Sequence, residues 1–189
     1  RKEPPFERKF ALPGGFVHID EDADTEAAAR RVVRGKIGFD APYLEQLFTF
    51  SGATRDPRGW SVSVAYYALI PASLLDRSQT VEAFPVEALP ALPFDHDRIV
   101  AKAIERLRGK ATYSSLPVFL LPATFTMNEL HRIYEQTIGV RLDKASFRHN
   151  ILEQGIIDPV PSQFRIGAHR PAQLYRLANR VLTAFERKI

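Results

Sequence analysis

A chain of 189 residues, 45% apolar and 25% charged, has the make-up of a folded protein and the length for one large domain or two small ones. It contains no cysteine, which excludes disulfides, zinc fingers, a thiolate nucleophile and iron–sulfur clusters. No stretch approaches the roughly 18 apolar residues of a membrane span, so a cytoplasmic protein with no membrane partner is expected. The net charge is a modest +4, and residue 1 is Arg rather than Met, so the native N-terminus is expected to be missing from this chain.

Residues 9–17, KFALPGGFV, read as a short apolar strand entering a Pro-Gly-Gly turn, where glycine permits positive φ and close backbone approach. A helix follows, capped by Asp24 or Thr25. Glu26 lies near its positive end, Ala28, Val32 and Val33 share a face, and it should end near Ile37-Gly38. Residues 43–51 and 60–70 read as strands. In the second, Ser61, Ser63 and Ala65 alternate with Val62, Val64 and Tyr66, the period of a sheet with one face more buried. The loop between them holds Arg55, Asp56 and Arg58 among turn residues. Another strand is expected around Phe84-Pro85-Val86. Asp95 then occupies an N-cap position for an amphipathic helix whose Ile99, Val100, Ala103, Ile104 and Leu107 fall at helical spacing and which Gly109 ends. This first part is an α+β or α/β sandwich.

Composition shifts at Lys110. Residues 1–109 hold 15 Lys+Arg against 16 Asp+Glu, a net −1, and residues 110–189 hold 11 against 6, a net +5. A basic module joined to a near-neutral one suggests a polyanion partner. Thr126 with Glu129 forms a T-x-x-E capping box opening a helix that presents Leu130, Ile133 and Tyr134 and stops at Gly139. Asp143 caps a second helix with Phe147, Ile151 and Leu152 as its buried face. Residues 164–177 read as a hairpin, and 178–189 as a final helix. Helix, short turn, helix and basic ribbon make a winged helix-turn-helix pattern.

Such a module places the second helix in the major groove, with phosphate contacts supplying affinity and base edges specificity. The candidate readers of double-stranded DNA are Lys144, Ser146, Arg148 and His149, which avoid the Phe147/Ile151 face. The wing candidates are Arg165, His169 and Arg170, and Thr126 and Asn128 could donate to phosphate.

Residues 14–39 resemble the Nudix box, G-x5-E-x7-R-E-U-x-E-E-x-G-U. Gly15 and Glu21 have its spacing. Anchoring on Gly38-Phe39 aligns Arg31 and Val33, with the interval from Glu21 to Arg31 two residues long. Val32 stands for the first Glu of the helix, and Gly35 and Lys36 stand for the metal-binding Glu pair. Nudix hydrolases hold divalent metals with those carboxylates, and a lysine there repels Mg²⁺. Asp20, Glu21, Asp22 and Asp24 remain, but in a loop. No catalytic residue and no metal ligand is expected, and His18 and His131 have no partner at metal-ligand spacing.

Taken in order, FALPGGFV, ARRVVRGKIGF, ATRDPRG, FPVEALPALPFDH and FTMNELHRIYEQTIGVRLDKASFRHNILEQGII resemble the Nudix-related transcriptional regulators of NAD metabolism. The resemblance implies an α+β chain: a Nudix-like α/β/α sandwich over 1–109 that senses a nucleotide, then a winged helix over 110–189. It further implies a repressor of NAD-biosynthesis or salvage genes, released from DNA by ADP-ribose or a related nucleotide, with no required cofactor. Family members act as homodimers on pseudo-palindromic operators in the bacterial cytoplasm. The effector's pyrophosphate calls for cations and backbone N–H groups. Lys9, Gly14, Gly15, Arg55 and Arg58 could supply them, with Phe10 or Phe50 flanking a base and His96 near the pocket. Asp95 reads first as a plain N-cap, and His96 as a surface helix residue.

Two places fit the family less well. Nine residues before Phe10 barely allow the first Nudix strand, which is expected to be missing, and a longer loop is expected between LLDRSQ and VEAFPVE. The alternatives are an active Nudix hydrolase of ADP-ribose-type substrates with the winged helix as an accessory, and a protein–protein adaptor.

Overall fold

The computed structural model describes residues 4–75, 81–166 and 171–189. The chain divides into two compact units: Arg1–Ile70 with Leu74–Ile104, and Pro71–Ser73 with Glu105–Ile189. The boundary at Ile104/Glu105 falls within one helix, as does the change of composition at Lys110. The expected gap near Ser78 lies largely outside the described residues.

In the first unit, α1 spans Thr25–Ile37. Asp24 caps it, its carboxylate accepting from Ala27 N at 2.8 Å, and Gly38 at φ 86° closes it, donating to Arg34 O. Strands β1 (Tyr43–Gly52) and β2 (Ser61–Leu69) form an antiparallel ribbon with a bulge at Leu47. The bulge turns Leu47 inward, leaving it 3% exposed. In β2 the apolar side faces out: Val62 and Val64 are exposed, whereas Ser61 and Ser63 are half-buried because both hydroxyls accept from Arg55. A single turn, α2, covers Ala72–Leu75.

Three expectations for this unit fail. Residues 9–17 form no strand, and Phe84–Val86 is not one either; a 3-10 turn at Val86–Ala88 follows Pro85 instead. Prolines at 85, 90 and 93 remove ladder donors from that stretch. Helix α3 then runs His96–Ala111, past Gly109, because glycine weakens a helix without ending it unless it adopts positive φ, which Gly109 does not.

The second unit contains β3 (Phe125–Thr126), α4 (Met127–Ile138), α5 (Lys144–Glu153), β4 (Ile157–Arg165) and β5 (Ala172–Leu177), with strand order β3-β5-β4. Its core gathers Phe125, Leu130, Tyr134, Phe147, Ile151 and Tyr175. The Tyr134 hydroxyl donates to Ser114 O at 2.9 Å, and burial pushes its pKa up.

The ribbon begins seven residues earlier than its sequence suggests. Pro159 and Pro161 argue against a strand, yet β4 lies at the sheet edge, where a missing N–H costs nothing. Leu152 is 42% exposed rather than buried, since Phe147 and Ile151 alone fill α5's core side. The final helix is absent. Residues 183–189 form no helix and pair with 112–115 through Ser115 N to Thr183 O, Phe185 N to Tyr113 O and Ile189 N to Thr112 O. Those bonds replace the intrahelical ones, and Phe185 enters the core.

Candidate functional site

In the second unit, α4 and α5 enclose a short turn. The capping box is complete: Glu129 N donates to Thr126 Oγ1, and Glu129 Oε2 accepts from Thr126 N at 2.7 Å. Thr126 is therefore buried with its hydroxyl and N–H both engaged, a cap rather than a phosphate donor. Gly139, at φ 85°, reverses the chain, and Asp143 caps α5 through Ser146 N at 2.9 Å. That bond lowers the Asp143 pKa. The exposed side of α5 carries Lys144, Ser146, Arg148 and His149, and Asn128 is exposed on α4's first turn.

The wing is irregular. Its register slips between Pro159 and Phe164, Ser162 adopts φ 56°, and the Gln173 amide donates to Val160 O at 2.8 Å and Gln163 O at 3.1 Å. One side-chain amide thus serves carbonyls that the bulge leaves out of the ladder. Arg165 pairs with Glu129 Oε1, tying the wing to the start of α4. Phe164 and Ile166 face solvent. His169 and Arg170 lie outside the described residues.

In the first unit, Arg55, Arg58 and His96 converge on Phe94-Asp95. Arg55 is engaged throughout: Nε and Nη2 bind both Asp95 carboxylate oxygens at 3.0 and 2.9 Å, and Nη1 reaches Ser61 and Ser63. Both side chains are about nine-tenths buried, at 11% and 8% exposure, so Asp95 is an ion-pair partner rather than a plain N-cap. Arg58 bonds Asp56, holding that carboxyl down to about 2, and lies 6.0 Å from the Phe94 ring. His96 Nδ1 accepts from Leu12 N at 3.1 Å, anchoring the N-terminal segment to α3. Lys9 is exposed.

Neither Gly14 nor Gly15 uses positive φ. Gly15 serves close approach instead, since a Cβ there would lie 2.7 Å from Val32 Cγ2, while Gly14 faces open space. Phe10 stacks edge-on with Phe84, and Phe50 is buried beside Phe48.

The acidic loop is also engaged. Arg31 donates to Phe16 O and forms a bidentate pair with Asp22 at 2.8 and 2.6 Å; that pair, with the bond from His18 N, holds the Asp22 carboxyl down to about 2. Asp24 caps α1, and Glu21 faces His18 and Arg31. Gly35 and Lys36 fall in α1's last turn. The Asp22 and Asp24 carboxylates are thus engaged, the first by Arg31 and the second by the cap of α1.

Among the interactions that escaped sequence reasoning are Arg31 with Asp22, Arg55 with Asp95, Arg165 with Glu129, and His131 and Glu135 on Leu142. Only the last had a local signal, the i,i+4 spacing of His131 and Glu135 on one helix face.

Two helices around a glycine turn, followed by a ribbon at a sheet edge, define a winged helix-turn-helix protein. Residues 117–177 match the NrtR DNA-binding winged helix domain. The chain is 42% identical over 184 residues to the ADPR responsive transcriptional repressor NtrR of Acinetobacter baylyi, covering 94% of this chain and 73% of that one. It superposes on Shewanella oneidensis NrtR complexed with a 27mer DNA with a TM-score of 0.90 at 32% identity, over 100% of this chain and 89% of that chain. It is also 35% identical over 103 residues to the ADP-ribose pyrophosphatase of Methanocaldococcus jannaschii, covering 53% of this chain and 60% of that one. The chain belongs to the NrtR family of transcriptional repressors, in which a Nudix-type unit precedes the winged helix.

Proposed function

We propose that this chain is a repressor of NAD-biosynthesis or salvage genes whose DNA affinity is lowered by ADP-ribose or a related NAD-derived nucleotide. Residues 110–189 read the operator, and residues 1–109 sense the effector. The observation that carries this is the exposed row Lys144, Ser146, Arg148 and His149 on α5, in a chain that matches a DNA-bound relative over its full length. Asn128 adds a phosphate contact, and Arg148 and His149 read base edges. As a homodimer the protein meets a pseudo-palindromic operator, with two α5 helices one helical turn of DNA apart. The bacterial cytoplasm is the compartment such a role requires, and no helix among the described residues is long and apolar enough to cross a membrane.

The effector's phosphates face Arg58, His96 and Lys9, and Arg55 becomes available to them when Asp95 is displaced. No cofactor is needed for this exchange. Hydrolysis is not the function in this reading. The pyrophosphatase relative covers only about half of the chain, and Gly35, Lys36 and the Arg31–Asp22 pair leave no carboxylate set for Mg²⁺.

A titration of operator duplex with and without ADP-ribose, NAD and ATP tests the proposal. Tight, salt-sensitive binding weakened by ADP-ribose is expected. Salt-insensitive or effector-blind binding would defeat it, and Mg²⁺-dependent turnover of ADP-ribose would return the first unit to the hydrolases.

A further inference from the structure

The direction in which α5 points is set at its first residue, and the chain enters it through Leu142, immediately before the Asp143 cap. Both polar groups of the Leu142 backbone are held by side chains of α4. Its N–H donates to Glu135 Oε1 at 3.0 Å, and its carbonyl accepts from His131 Nε2 at 2.9 Å. The second Glu135 oxygen lies 3.6 Å from His131 Nδ1, so the two side chains brace each other one helical turn apart. His131 is 7% exposed, and the edge of its ring meets Phe147, the buried anchor of α5's first turn, at a centroid distance of 5.1 Å.

The other charged groups facing the pair are Arg141, 96% exposed and 3.6 Å from Glu135, with Lys144 and Asp143 at the start of α5. Glu135 is kept ionised chiefly by the Leu142 N–H, and next by His131 and the two cations. A buried and a half-buried side chain from one helix thus close on both backbone polar groups of a single residue of the turn.

We infer that His131 and Glu135 are positioning residues that fix the recognition helix for base-specific reading. The inference rests on the DNA-binding role proposed above. A ten-residue helix is about 15 Å long, so a tilt of about 15° at its start displaces its far end by roughly 4 Å. Hydrogen bonds to base edges tolerate only tenths of an ångström, whereas long Lys and Arg side chains follow phosphates through such a shift. Loss of the clamp therefore removes discrimination before it removes affinity. A purely stabilising role lowers specific and non-specific binding together, through the folded fraction.

The test uses the full chain, a duplex enriched from a random library by the unsubstituted protein, and a scrambled duplex of the same composition. His131→Leu should keep a cooperative thermal transition and lower the affinity ratio of selected to scrambled duplex by about tenfold, with scrambled binding changed less than about twofold. His131→Gln, whose amide reaches the Leu142 carbonyl, should restore the ratio to within about threefold. Glu135→Ala, which leaves the Phe147 packing intact, should reproduce the loss if the leucine variant does not fold. Unchanged discrimination in a folded His131→Leu or Glu135→Ala protein overturns the inference, as does a glutamine variant as defective as the leucine one. If the unsubstituted protein enriches no sequence, the DNA reading itself falls and takes this inference with it.

Discussion

Arg55 and Asp95 illustrate how a residue assigned from its charge can acquire a different job in the fold. Their forked ion pair is largely buried, and Ser61 and Ser63 complete the guanidinium's bonding. Removing one partner leaves the other charge desolvated and unpaired, which costs about 3–5 kcal/mol. Arg55→Ala should therefore lower the urea midpoint sharply even without nucleotide, whereas Arg58→Ala, which removes a largely exposed guanidinium, should lower it much less. Equal, small effects would mean that Arg55 serves the ligand alone. Gly15 offers a cleaner case. A methyl group there meets Val32 Cγ2 at 2.7 Å, so Gly15→Ala should destabilise by about 1–3 kcal/mol, and Val32→Ala in the same chain should recover part of that loss.

The Asp22–Arg31 pair adds a pH dependence whose sign is fixed. The folded pKa, about 2, lies below the ordinary carboxylate value of 3.8, so the stabilisation is complete above the upper value and is lost as pH falls towards the lower. Between pH 4 and 2 the urea midpoint of the parent should fall more steeply than that of Asp22→Asn, in which this link is already absent. Parallel curves would dissociate the pair from acid sensitivity.

At the scale of elements, α4 organises the DNA-facing half. Its first turn holds the wing through Glu129 and Arg165, and its later turns hold the approach to α5. Because the Thr126 hydroxyl serves the cap, Thr126→Ala should cost about 1 kcal/mol of stability and leave DNA contacts in place. A large fall in DNA affinity at unchanged stability would reinstate it as a phosphate donor.

The helices here were legible because their signals are local: Thr126 with Glu129, Gly139, and Asp143 each act within four residues. What escaped depends on distant partners. The segment after Leu177 has helix-like composition, but its backbone finds strand-like partners near residue 113, a pairing that helical periodicity does not encode. The start of β4 before residue 164 escaped as well, since Pro159 and Pro161 fit a strand only at the sheet edge that β4 occupies. Likewise the alternation in β2 left open which face is the more buried, and Arg55, whose own carboxylate partner lies forty residues further along the chain, settles it by bonding Ser61 and Ser63. The charge-based choice of α5 residues succeeded in naming exposed positions because the buried face, Phe147 and Ile151, excludes the rest of the helix from the core.

For the whole molecule, the uneven charge becomes a quantitative expectation. With the +5 excess confined to residues 110–189, DNA affinity should come largely from counterion release, and about five neutralised phosphates imply a roughly 500-fold loss between 50 and 200 mM salt. The effector acts on the same equilibrium through linkage. If ADP-ribose weakens operator binding by some factor, operator must weaken ADP-ribose binding by that same factor, whatever structural route connects the two units. Calorimetric titration of ADP-ribose into free protein and into the saturated operator complex should therefore give dissociation constants whose ratio equals the ratio of operator affinities measured without and with ADP-ribose. Arg148→Ala should lower operator affinity in both nucleotide states alike and leave the ratio intact, because it alters a contact and not the coupling. A pair of unequal ratios would show that nucleotide and DNA are not competing through one shared equilibrium, and the repressor reading would then need a second binding event to account for release.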